Sequence, residues 1–111
     1  MIANSVVILG ISLADFPEME DSLCSKEDHV LVNALYDSHI MTFGYDGEYW
    51  AIGTIIQSNE EEYVNEITIQ KLKEYEDKKK EFLNQLQDVD AKFFAQVKIE
   101  NVKIYHTIET Y

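Results

Sequence analysis

The dipeptide Asp46-Gly47, set between two apolar runs, constrains the fold of this chain more than any other feature. A two-residue Asp-Gly linker closes an antiparallel hairpin, because Gly tolerates the positive φ the turn requires. The turn also sets which residues face each other. Pairing Tyr45 with Glu48 places Phe43 opposite Trp50 and Met41 opposite Ile52. These four then share one face, continued by Ile56, while Thr42, Gly44, Tyr49, Ala51 and Gly53 form the other. An antiparallel sheet is therefore expected, and the flanking segments must complete and cover it.

Ser5 to Leu13 is short, β-branched and almost wholly apolar, which predicts a buried strand, ended by the breaker Phe16-Pro17. An acidic connection runs from Asp15 to Asp28. Ser25 then reads as an N-cap with acids behind it, and Val30, Leu31, Ala34 and Leu35 fall on one face of a helix from about Lys26 to Ser38. After the hairpin, Asn59 caps a long helix whose first turn carries Glu60, Glu61 and Glu62, where the helix dipole favours negative charge. Its apolar positions include Tyr63, Ile67, Leu72, Tyr75, Phe82, Leu86 and Val89. The stretch Glu76 to Glu81 has none, so the helix there either projects into solvent or breaks. Unbroken, it would hold ~30 residues and span ~45 Å. From Lys92 the period becomes two: Phe93, Ala95, Val97 and Ile99, then Val102, Ile104, His106 and Ile108. A turn at Glu100-Asn101 would pair Ile99 with Val102 and Val97 with Ile104, with a bulge in one long strand as the alternative.

The resulting order is β-α-β-β-α-β, with one optional extra strand. It predicts a single α+β domain over residues 1–111, in which two helices cover an antiparallel sheet of four to five strands and the second helix is long. A ferredoxin-like split βαβ arrangement is one option. A chain of 111 residues can bury roughly 60–70% of its unfolded surface. With 46% hydrophobic residues it has the apolar content to offset chain entropy. The single cysteine, Cys24, cannot form an intramolecular disulfide. The apolar run Val6 to Leu13 lacks a basic lead and is too short to span a bilayer, so no membrane partner is expected and a cytoplasmic location is (host cytoplasm for a viral protein).

Little in the sequence points to catalysis or to a cofactor. Asp37-Ser-His39 has a spacing that sets two donors on one side of a strand, with His29 nearby in sequence, but a metal site needs further convergent ligands. His106, on the apolar face of the last strand, is expected to be a hydrogen-bonded core histidine. Acidic neighbours disfavour a Cys24 thiolate. Nucleophile-elbow, phosphate-loop, dinucleotide, Cys-x-x-Cys and metalloprotease patterns are missing, as is an EF-hand loop. Seven Tyr, five Phe and one Trp are spread along strands and helices, where they serve the core edge or a contact surface.

Charge says more about partners. Residues 1–66 hold thirteen acids against one Lys, Lys26, and so carry the whole net charge of −12, while residues 67–111 balance at eight acids and eight Lys. There is no Arg. A polyanion would be repelled, so direct nucleic-acid binding is not expected. Asp15, Glu18, Glu20, Asp21, Glu27 and Asp28, with Glu60, Glu61, Glu62 and Glu66, form the candidate partner-binding set. The function expected on this basis is a non-enzymatic acidic binding protein or inhibitor that occupies the basic surface of a nucleic-acid-processing enzyme. Viral anti-defence proteins, including anti-CRISPR proteins and nucleic-acid mimics, and nuclease immunity proteins follow that logic. The alternatives are a small-ligand-binding or catalytic α+β domain with incidental acidity, or an oligomeric scaffold built through the long helix. A homodimer is expected from exposed helix and sheet edges.

Overall fold

The computed structural model describes residues 3–23, 29–45, 48–58 and 69–110. The elements are β1 (Ala3–Ser12), a 3-10 turn (Leu13–Asp15), α1 (Pro17–Leu23), α2 (His29–Asp37), β2 (Met41–Tyr45), β3 (Glu48–Ser58), α3 (Ile69–Asp77), α4 (Lys79–Val89), a second 3-10 turn (Ile99–Asn101) and β4 (Lys103–Thr110). The strands form one four-stranded sheet in the order β2-β3-β1-β4, with every neighbouring pair antiparallel. The α+β class and the antiparallel sheet are those the sequence predicts. Because β1 and β2 both run against the intervening β3, they point the same way with one strand between them, an order compatible with a split βαβ unit.

β1 reads as continuously apolar because it is central and covered on both faces. Leu9, Ile11 and Leu13 enter a layer between the sheet and the helices, with Ile52, Phe82 and Leu86. Val6 and Ile8 enter a second layer on the opposite face with Phe43 and Ala51, flanked by Met41, Ile55 and Tyr105. All four strands feed this second cluster, and the sheet curls enough to bring its edge strands β2 and β4 against each other. At the centre of the curl Gly10 faces Gly53. A Cβ on Gly10 would lie 2.1 Å from the Ile52 carbonyl oxygen, so the close approach of β1 and β3 requires its absence.

The hairpin forms with the Tyr45–Glu48 and Gly44–Tyr49 pairs intact, but the predicted register fails beyond them. Phe43 lies opposite Ala51 and Met41 opposite Gly53. Trp50 is the extra residue of a β-bulge, and a one-residue slip moves each later side chain to the other face. Phe43 therefore joins Ala51 in the second layer, while Ile52 and Ile56 stay on the helix side. Trp50 remains 39% exposed and donates its indole N–H to Thr107 Oγ1 at 2.8 Å.

The helical segments are more divided than expected. Residues 15–23 are not a plain connection: Pro17 opens α1 at the position where a missing N–H costs nothing, and Phe16, Met19 and Leu23 are buried. The described part of the long helix is two helices, α3 and α4, broken at Lys78 within the apolar-free stretch. Only α4 buries side chains, Phe82 and Leu86; α3 buries none. The predicted strand from Lys92 to Ile99, and its hairpin at Glu100-Asn101, are also absent. Residues 91–96 form turns, and Asp90 Oδ1 accepts the Phe93 N–H at 3.0 Å while Asn101 Oδ1 accepts the Lys98 N–H at 2.9 Å. These local bonds take donors that a ladder would have used. Phe94, Val97 and Val102 are buried, whereas Ala95 is exposed and Ile99 is 45% exposed, so the period-two pattern did not mark the buried set. His106 is exposed rather than core and meets the Ser5 hydroxyl.

Candidate functional site

The acids of the first crossover are held on α1 by apolar anchoring. Phe16, Met19 and Leu23 recur at three- and four-residue spacing and face the sheet, which leaves Glu18 and Asp21 fully on the outer side. Burying Met19 and Leu23 stabilises this placement by about 1.5–3 kcal/mol each. Acids at Glu18 and Glu20 also suit the positive end of the helix. Asp15 is exposed just ahead of α1, and Glu20 is half-buried. Among the described residues none of these four carboxylates joins an ion pair; the pair that does form is Lys79–Glu76, at 2.7 Å beside the helix break.

Three of the ten candidate residues thus lie on one short helix, and a fourth, Asp15, lies just ahead of it. Glu27, Asp28, Glu60, Glu61, Glu62 and Glu66 lie outside the described residues, as do the Ser25 and Asn59 caps and the Asp46-Gly47 turn itself. Asp15 has an electrostatic neighbour in Tyr105. Burial raises the Tyr105 phenol above its ordinary value of 10.0, and the Asp15 charge raises it further.

Two grooves border the helices. One, of about 380 Å³, runs between β3 and the α3–α4 pair and includes Thr54, Ile56, Tyr75, Lys78 and Phe82. The other, of about 530 Å³, sits at the C-terminal end of α2 and is lined by Tyr36, Asp37, His39, Met41, Thr54 and Ile55. In the sequence Asp37 and His39 stand as two donors short of a metal site, with Asp37 also one of the chain's acids. Among the described residues, no group of three or more His, Cys, Asp or Glu side chains is placed to hold a metal ion. The pair instead lies on a helix terminus of fixed geometry. The His39 N–H bonds the Tyr36 carbonyl at 3.0 Å and the Ile40 N–H bonds the Leu35 carbonyl at 2.9 Å, the two bonds of a Schellman motif. Leu35 and Ile40 provide its hydrophobic contact, and both are buried. His39 occupies the left-handed position at φ 63°, where Gly is the usual residue. The Thr54 hydroxyl donates to the His39 carbonyl at 3.3 Å and ties this terminus to β3.

No helix among the described residues is long and apolar enough to cross a membrane. Comparison with family models, with curated proteins and with solved structures returns no match.

Proposed function

We propose that this chain is a non-enzymatic acidic binding protein that occupies the basic surface of a nucleic-acid-processing enzyme, as viral anti-defence proteins and nuclease immunity proteins do. The observation that carries this reading is the outward, unpaired display of Glu18 and Asp21 on the apolar-anchored α1, with exposed Asp15 just ahead of it, in a chain of net charge −12. Glu18 and Asp21 are separated by three residues, a rise of about 4.5 Å along a helix. Such carboxylates steer a cationic partner and lose that effect as salt screens them. The scaffold alternative drew on one continuous helix, and the division at Lys78 weakens its support.

The test is affinity capture at low and high salt, with DNA as competitor. The proposal expects a basic nuclease, polymerase or defence effector that is retained at low salt and displaced by DNA. Retention should be lost in the triple variant Glu18→Gln, Glu20→Gln, Asp21→Asn, whose melting temperature stays near that of the parent. Full retention by the variant removes α1 from the binding surface.

A further inference from the structure

The groove at the end of α2 differs in chemistry from the open acidic face of α1. Its rim carries an exposed carboxylate, Asp37, which among the described residues has no cationic partner. Beside it stands Tyr36, an aromatic ring left 68% exposed on an otherwise apolar-anchored helix. The floor is half-buried Met41 and Ile55, which continue into the second core layer. Thr54 and the left-handed His39 close the remaining side, linked through the His39 carbonyl. The groove thus combines apolar side chains, an exposed aromatic ring and an exposed carboxylate in its lining.

We propose that this groove is a subsite for the guanidinium of an arginine side chain presented by the basic partner, an inference that rests on the acidic-binding reading above. Guanidinium is planar and weakly hydrated, so it can lie on an apolar floor, stack on an aromatic ring and fork its paired N–H donors onto a carboxylate. Ammonium is a strongly hydrated point charge and gains little from the floor or the ring. At about 530 Å³ the groove is roomy enough for an extended arginine side chain. The Schellman bonds fix the backbone that carries Tyr36, Asp37 and His39 before the ligand arrives, so the ordering required on binding is confined to side chains.

The experiment is a titration of the full chain, followed by two-dimensional amide NMR, with three neutral-backbone probes: N-acetyl-arginine amide, N-acetyl-lysine amide and N-acetyl-citrulline amide. The arginine probe is expected to give saturable shifts at Tyr36, Asp37, His39, Met41 and Ile55. The lysine probe should bind several-fold more weakly, and the citrulline probe, which keeps the shape without the charge, should leave these amides unmoved. Asp37→Asn is expected to weaken the arginine probe by about fivefold, the upper range for an exposed charge pair. Tyr36→Ala should weaken it independently, and the spectra report whether each variant is folded. Equal binding of citrulline, or arginine shifts confined to α1 around Glu18 and Asp21, overturns the subsite while leaving the acidic-surface reading standing. Saturable arginine binding at the groove, combined with salt-insensitive capture, sinks the acidic-surface reading and keeps the subsite.

Discussion

Replacing Gly10 by Ala is expected to destabilise the protein by about 3 kcal/mol or more, the upper end of the cost of overpacking. Propensity alone predicts the opposite sign. Ala loses less chain entropy than Gly on folding and should stabilise a strand by about 0.4–1 kcal/mol where it fits. It does not fit here. The added Cβ would lie 2.1 Å from the Ile52 carbonyl oxygen and 2.6 Å from the Gly53 Cα, and both are backbone atoms of the paired strand. Relief to an ordinary contact near 3.4 Å requires β1 and β3 to part by more than 1 Å at the centre of the sheet. That movement lengthens ladder hydrogen bonds and opens both core layers. Gly53→Ala provides an internal comparison. Its nearest atom is the Leu9 carbonyl oxygen at 2.7 Å, with the Gly10 Cα and the movable end of the Ile8 side chain both at 3.1 Å; these contacts are less severe, so its cost should be smaller. Urea unfolding followed by circular dichroism measures both. With a slope of ~2 kcal/mol per molar, a 3 kcal/mol loss shifts the Gly10→Ala midpoint by ~1.5 M. A midpoint at or above that of the parent, or a larger shift for Gly53→Ala than for Gly10→Ala, refutes the close approach that curls the sheet.

Two further outcomes follow from single positions. His39→Gly should raise stability by about 0.5–1 kcal/mol, seen as a higher melting temperature, because Gly carries no Cβ penalty at φ 63°; a lower melting temperature contradicts the assigned terminus of α2. Tyr105 should make stability fall at high pH. Burial first, and the Asp15 charge second, raise its folded value above 10.0, so the folded state holds the proton longer than the unfolded chain. The contribution is complete below pH 10.0 and is lost as pH rises from there through the raised value. Urea midpoints from pH 9 to 11 should therefore fall less steeply in Tyr105→Phe than in the parent, and parallel slopes would count against the burial of that hydroxyl.

The parts of the fold legible in the sequence are those fixed by local chemistry. The Ser5 to Leu13 run reads as a buried strand from its β-branched content and short length, and β1 covers all of it but Leu13. The flanks of Asp46-Gly47 pair as a hairpin because the two residues nearest the turn leave no other choice. Residues 76–81 signal a weak point in the helix, and the break at Lys78 falls there. α1 was also encoded, in the Pro17 start and the spacing of Phe16, Met19 and Leu23, but its dense acids read more readily as a loop. The candidate site divides similarly. The acids of α1 are visible as composition, whereas the groove joining Tyr36, Asp37 and His39 to Thr54 and Ile55 depends on how α2 ends over β3.

What the sequence determined by itself is therefore the class of fold, the closing hairpin and the sign of the chain's own charge, because turn preference, apolar runs and formal charge are properties of neighbouring residues. Only the tertiary structure decided which side chains face which layer. Trp50 bulges where an unbroken ladder was equally compatible with the sequence, and that single extra residue sends Phe43 to the layer opposite Ile52. Residues 91–101 carry a period-two pattern and still fold as turns, since Asp90 and Asn101 cap nearby backbone donors while Phe94 and Val97 fill the space beside α4. In both places the local pattern is compatible with more than one arrangement. The choice falls to the volume available between a curled sheet and its helices, which no short segment of the chain contains.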